Sequence, residues 1–127
     1  MERRSVIVAG FGFRDAVSVQ SLADALEVAG SGQTVSALAT AADKADTPAF
    51  AAFARQLGLP VIGIDAATLS AQEVQTQSEA SAAARQTGSV AEAAALAAAG
   101  RGARLIVPRV VSSDRMATCA LAEGEGA

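Results

Sequence analysis

Apolar and polar residues fall along this chain in blocks, and the first block sets the frame. Val6, Ile7 and Val8 are a β-branched run with no polar interruption, the pattern of a strand buried on both faces of a parallel sheet. The run leads to Gly10 and Gly12, which predict a tight turn with close backbone approach, and leaves Arg14 at its mouth. Ser18 is placed to cap a helix over Val19–Ala29, in which Leu22, Ala25, Leu26 and Ala29 recur at helical spacing before Gly30 at the C′ position. Thr34–Ala39 reads as a second strand and Thr40–Thr47 as a polar loop.

Thr47 and Pro48 predict a helix start, because proline at the first helical position loses no hydrogen bond. Phe50, Phe53, Ala54 and Leu57 make its apolar face, Gly58 ends it, and a third strand over Pro60–Ile64 delivers Asp65 to its carboxyl end. From Ala66 to Thr87 the pattern weakens to a short helical turn near Leu69 and a weakly helical or poorly ordered stretch. Ser89 and Glu92 then form a capping box for a helix over Val90–Ala99 that ends at Gly100 and is almost all alanine and leucine. Arg104–Val111 reads as a fourth strand, which Pro108 confines to an edge or a bulge, and Met116–Ala122 as a fifth strand returning antiparallel. Two strand–helix–strand units in a row predict a three-layer αβα fold. Its five-stranded sheet would be mostly parallel and end in an antiparallel hairpin. One domain over residues 1–122 and a mobile tail over 123–127 are expected.

Composition narrows the function classes. The 127 residues are 51% hydrophobic, enough for a core, and carry a net charge of −3 with no Lys/Arg run, which disfavours nucleic acid and anionic membranes as partners. Anionic ligands would need local arginines. With one cysteine and no histidine there is no internal disulfide, no Cys/His metal cluster and no ready acid or base near neutral pH. That fits a cytoplasmic protein with neither metal nor cofactor. The apolar segment behind Arg3 and Arg4 is too short and glycine-broken for a signal peptide, and no stretch is long and apolar enough to span a bilayer. A dinucleotide fingerprint would need a third glycine where Asp15 stands, and a P-loop would need a Gly-Lys-Ser/Thr step that is missing.

Four stretches together resemble one family, the CobE proteins and the C-terminal domain of CbiG, both of cobalamin (vitamin B12) biosynthesis. The family's opening G-I-G-C-R-[RK]-G-[TS]-S is similar to Gly10 through Ser18, and its T-x-x-x-K-A-D-E-P to Thr40 through Lys44, Ala45, Asp46, Thr47 and Pro48. Its S-V-A-E-A-A is Ser89 to Ala94 unchanged, and its closing L-[LI]-V-P-[KR] and T-V-A-[IL]-A resemble Leu105 to Arg109 and Thr118 to Ala122. Phe13, Asp15, Ala16 and Val17 replace the family's cysteine, second basic residue, glycine and hydroxyl, and Thr47 stands in place of a glutamate. Order and spacing hold over nearly the whole chain and resemble stand-alone CobE most.

The resemblance implies a corrin or precorrin intermediate as ligand, other cobalamin-pathway enzymes as protein partners, and leaves a homo-oligomer open. In open parallel sheets ligands sit beyond the strand carboxyl ends, here Arg14, Thr40 to Asp46, Asp65 and Arg109. A flat apolar macrocycle with acetate and propionate arms calls for guanidinium forks, backbone amides and apolar faces. Gly10, Gly12, Arg14, Ser18, Thr40, Lys44, Asp46 and Arg109 are therefore the candidate ligand-binding residues, with Arg115 a weaker addition. Each has a plainer role beside this one: Arg14 as a solvated loop charge, Ser18 as a helix cap, Lys44 and Asp46 as a surface pair. Phe11 and Phe13 read as core or as a stacking face, and Cys119 as a small buried hydrophobe. A carrier or accessory role is the expected function. The alternatives are a CbiG-like hydrolase acting on a precorrin lactone and a protein-interaction module.

Overall fold

The structure is a computed structural model that describes residues 6–14, 16–30, 32–69 and 88–125. Its elements in chain order are β1 (Val6–Phe13), α1 (Val19–Gly30), β2 (Ala37–Ala41), a 3₁₀ turn (Ala42–Lys44), α2 (Pro48–Leu57), β3 (Val61–Ile64), α3 (Gly88–Ala99), β4 (Arg104–Val111) and β5 (Ala117–Gly124). The strands form one sheet in the order β3-β2-β1-β5-β4. β1, β2 and β3 are parallel, while β5 is antiparallel to both of its neighbours. β4 therefore points the same way as β1, as its sequence position predicts. The parallel core and the antiparallel C-terminal pair are as expected, but the sheet is mixed, because β5 lies between β1 and β4 and two of the four pairings are antiparallel.

Burial explains that placement. Ala117 through Ala122 are all buried, so this strand is apolar on both faces and belongs inside the sheet. β4 suits the edge. It carries Pro108, and between the pairs Val107–Leu121 and Val110–Cys119 it spends three steps against two on β5, a bulge.

Alternate residues of β1 feed two apolar clusters, one on each face of the sheet. Ala9 and Phe11 pack with Leu22 and Ala25 of α1 and with Phe50 and Phe53 of α2. Phe11 meets Phe50 and Phe53 edge-on at ring-centroid distances of 5.5 and 5.7 Å, the favoured aromatic geometry. Val8, Ala39 and Ala122 pack on the opposite face with Ala94, Ala95, Ala98 and Ala99 of α3. Helices thus cover both faces.

Several local expectations shift. Gly10 and Gly12 lie inside β1, so the turn begins after Phe13. β2 starts later than Thr34 and runs on to Ala41, because it is held by pairing to β1 on one side and to β3 on the other despite the weak strand propensity of alanine. Gly30 remains helical, and the left-handed residue is Gly32 at φ 82°. Thr47 precedes Pro48 as expected but makes no side-chain cap bond, whereas Gly58 ends α2 in the left-handed conformation. Leu57, counted into the apolar face, is 41% exposed. α3 begins at Gly88, two residues earlier than expected, and a Glu92 carboxylate oxygen accepts the Arg109 N–H; the Ser89 side chain of the expected capping box lies outside the described residues. The tail is shorter than expected, since Glu123 and Gly124 pair with Ile7 and Val6. Residues 66–69 form a helical turn as expected, capped by Asp65, whose Oδ1 accepts the Thr68 N–H at 2.8 Å. That bond holds the Asp65 carboxyl below its usual range. The stretch expected to be weakly helical around Glu79 to Arg85 lies outside the described residues.

α3 approaches the sheet closely at two glycines, Gly10 of β1 and Gly124 of β5. A Cβ on Gly10 would collide with the Ala91 carbonyl oxygen and stand 2.5 Å from the Ala95 nitrogen, and one on Gly124 would collide with the Ala99 carbonyl. Those obstacles are backbone, which cannot rotate aside. Gly10→Ala is expected to lower stability in urea unfolding by about 1–3 kcal/mol, the cost of overpacking. An unchanged midpoint would show that the helix can move away freely.

Candidate functional site

At the carboxyl ends of β1, β2 and β4 the sheet opens into a cleft of about 420 Å³. The divergence of β1 and β2 starts it. Their ladder runs as far as Gly10 and Ala39, after which β1 continues along β5 to Phe13 and β2 continues along β3 to Ala41. Thr40, buried beside the gap, donates its Oγ1 hydrogen to the Phe11 carbonyl at 2.9 Å, and Thr118 does the same to Gly12 from β5 at 3.3 Å. Two side chains thus satisfy carbonyls at the end of β1.

Phe13 gives the cleft an aromatic wall. Its ring stacks on Phe50 at 5.3 Å between centroids, and the Lys44 ammonium sits 5.4 Å from its centroid while donating to the Phe13 carbonyl at 3.3 Å. Val90, from the first turn of α3, and Met116 add apolar surface. Arg14 follows β1, with its N–H donated to the Met116 carbonyl at 3.1 Å and its own carbonyl accepting the Val17 N–H at 3.0 Å. Arg109 lies within the β4 bulge. Its N–H, turned out of the ladder beside Pro108, is taken by the Glu92 carboxylate at 3.1 Å.

Among the described residues that line the cleft, Arg14, Lys44, Arg109 and Arg115 are cationic and Asp43 alone is anionic. The local charge is therefore opposite in sign to the net charge of −3 on the whole chain. Arg115 stands at φ 63° in the hairpin between β4 and β5. A left-handed residue with a Cβ costs on the order of 1–3 kcal/mol and persists only where its surroundings enforce it. Here they do: Ser112 and Ser21 donate their hydroxyls to the two oxygens of Asp114 at 2.6 and 2.5 Å, and Met116 donates its N–H at 3.1 Å. The Ser112 bond above all, then those of Ser21 and Met116, holds the Asp114 carboxyl below its usual range.

Of the residues singled out from the sequence, Gly12, Arg14, Thr40, Lys44 and Arg109 line this cleft. The other three do not. Gly10 lies beneath α3, Ser18 caps α1 by accepting the Ser21 N–H at 3.1 Å, and Asp46 is an exposed residue after the 3₁₀ turn. Phe11 is core, Phe13 is wall, and Cys119 is a buried thiol whose pKa burial pushes far up, so that it remains protonated. Asp43, Val90 and Met116 were not singled out, since their place in the cleft depends on how β2, α3 and the hairpin meet.

A family model described as Cobalamin synthesis G C-terminus matches residues 7–122. The chain belongs to this family. Among solved structures, CobE from the cobalamin biosynthetic pathway is 34% identical with a TM-score of 0.79, over 97% of this chain and 93% of that one. The cobalamin biosynthesis protein chiG from Agrobacterium tumefaciens str. C58 is 42% identical with a TM-score of 0.72, over 92% of this chain and 97% of that one. A putative cobalamin biosynthesis protein G homolog from Sulfolobus solfataricus shares the fold at 20% identity and a TM-score of 0.64, over 97% of this chain and 38% of that one. Among curated protein sequences nothing matches. As a member of the family the chain is a cobalamin biosynthesis protein, and among its described residues no helix is long and apolar enough to cross a membrane.

The Asp114 bonds generate a pH prediction. Because the native carboxyl is held below the ordinary aspartate value, its contribution to stability is present above that value and is lost as pH falls through the lower native pKa. Asp114→Asn should therefore lower the melting temperature at neutral pH, and the gap from wild type should close in increasingly acid buffer. A gap that stays constant with pH would show that the charge of Asp114 is irrelevant to the hairpin.

Proposed function

We propose that the cleft binds a carboxylate-bearing corrin-pathway intermediate, and that the protein serves cobalamin biosynthesis as a carrier or accessory factor. The observation that carries this reading is the concentration of cations on an apolar-walled cleft in a chain that is acidic as a whole. A corrin intermediate offers the complementary surface, a flat apolar ring edged with carboxylate arms. Phe13, Val90 and Met116 suit the ring, and Arg14, Lys44 and Arg109 suit the arms.

Binding is better supported than catalysis. The hydroxyl hydrogens of Thr40 and Thr118 are committed to backbone carbonyls, the one thiol is buried and protonated, and the chain has no histidine. Asp43 is the single carboxylate among the described lining residues, so a pair of carboxylates working as acid and base is not assembled there. Other enzymes of the pathway are the natural partners of a carrier, in the cytoplasm, where an unpaired cysteine stays reduced.

The test is an absorbance titration with cobyrinic acid, a corrin with free carboxylates, beside its methyl ester. Wild type should bind the acid well and the ester poorly. Arg14→Ala, which removes one charge-assisted contact, should weaken acid binding by about tenfold to a hundredfold and leave the melting temperature nearly unchanged. Equal affinity for acid and ester, or no binding of either, would leave the interaction-module reading as the better one.

A further inference from the structure

The hairpin between β4 and β5 contains a residue at odds with its backbone. Among the described residues, positive φ occurs at Gly32, Gly58, Gly100 and Gly102, and otherwise only at Arg115. After a tight hairpin turn the left-handed position belongs by default to glycine, which has no Cβ to crowd. This turn is of that kind, with the Arg115 N–H donated to the Ser112 carbonyl at 2.9 Å and the Ser112 N–H to the Ala117 carbonyl at 2.8 Å.

What keeps the turn in place comes from elsewhere in the fold. From α1, buried Ser21 donates its hydroxyl to Asp114 Oδ2, and Asp24 Oδ2 accepts the Ser113 N–H at 2.6 Å. From the end of β1, the Arg14 N–H binds the Met116 carbonyl. Within the turn, the buried Ser112 hydroxyl accepts the N–H groups of Met116 and Ala117 at 3.2 and 3.1 Å. Residues on both sides of Arg115 are anchored, and its exposed side chain lines the same cleft as Arg14.

We propose that Arg115 is a carboxylate-selecting residue of the cleft, presented by a turn whose conformation α1 enforces, and that Asp114 is the positioning residue that acts on it through the backbone. The inference rests on the reading of the cleft as a carboxylate site. It goes further in assigning selectivity to the hairpin and its geometry to Ser21, Asp24 and Asp114. Arginine replaces glycine at the turn because the guanidinium is needed where that backbone conformation points it. A second carboxylate arm of a ligand seated on Arg14 is the group it takes, by a bidentate charge-assisted contact.

Cobyrinic acid and its methyl ester serve as probes, with Arg115→Gly, Asp114→Asn, the double variant and Arg14→Ala compared with wild type. Arg115→Gly should keep its melting temperature, since relief of the left-handed strain and the added freedom of the unfolded chain oppose each other. It should bind the acid about tenfold more weakly and the ester unchanged. Asp114→Asn should also weaken acid binding, yet cost nothing further in the Arg115→Gly background, a coupling that a merely structural aspartate would not show. If Arg115→Gly binds the acid like wild type while Arg14→Ala does not, the assignment of Arg115 is overturned and the cleft reading stands. If wild type binds no acid, both are overturned. Equal losses from Asp114→Asn in the two backgrounds would overturn the positioning role.

Discussion

The rest of the structure depends on the close seating of α3 against the sheet, glycine under alanine. At Gly10 and Gly124 the strand backbones face the backbone of the helix with no side chain between them. Burying alanine yields little per residue, so this face gains its cohesion from many short dispersion contacts at small separation. The position of the helix then determines what reaches the cleft. Its first turn brings Val90 to the wall, and one residue pair further on Glu92 takes the Arg109 N–H released by the β4 bulge.

The opposite face meets different demands. Three phenylalanines interlock there, Phe11 edge-on to Phe50 and Phe53, and Phe13 carries the stack out to the cleft with Lys44 beside it. Between the two faces the end of β1 is tied on one side by Thr40 and on the other by Thr118, and its exit is strapped to the hairpin through Arg14 and Met116. A rim held from both flanks is preorganised, so little ordering is left for the moment of binding. Because the chain as a whole is negative, long-range steering does not favour a polycarboxylate. On the proposed reading, affinity comes from direct contacts inside the cleft.

The fold was legible where local pattern and tertiary role agree. β-branched Val6 to Val8, the Pro48 start and Gly58 stop of α2, and the cap at Ser18 all carry short-range signals that the structure keeps. Gly10 had a signal too, but a glycine in a strand reads alike whether it turns or lets a helix approach, and only packing separates the two. The interior place of β5 was legible only in part, since Pro108 pointed β4 to an edge or a bulge and a bulge alone would have left the edge undecided. At the site, Arg14, Lys44 and Arg109 could be found from the rule that ligands lie beyond strand carboxyl ends. Arg115 could not be weighed properly, since its left-handed backbone and its anchoring by α1 are not visible in a Ser-Ser-Asp-Arg turn. The contact of Glu92 with the Arg109 N–H was not legible, because that N–H is turned away from β5 by the bulge at Pro108.

The central claim is that one cleft, at the junction of β1, β2, α3 and the β4–β5 hairpin, receives the acidic edge of a corrin. Its most direct test is a map of backbone amide chemical shifts during titration with cobyrinic acid. The account predicts saturable shifts that converge on Phe13, Arg14, Lys44, Val90, Arg109 and Arg115, with the amides of α2 and the carboxyl half of α3 unmoved. Shifts centred on the outer face of β3 or on the exposed ends of α1 and α2, or none at all, would contradict it.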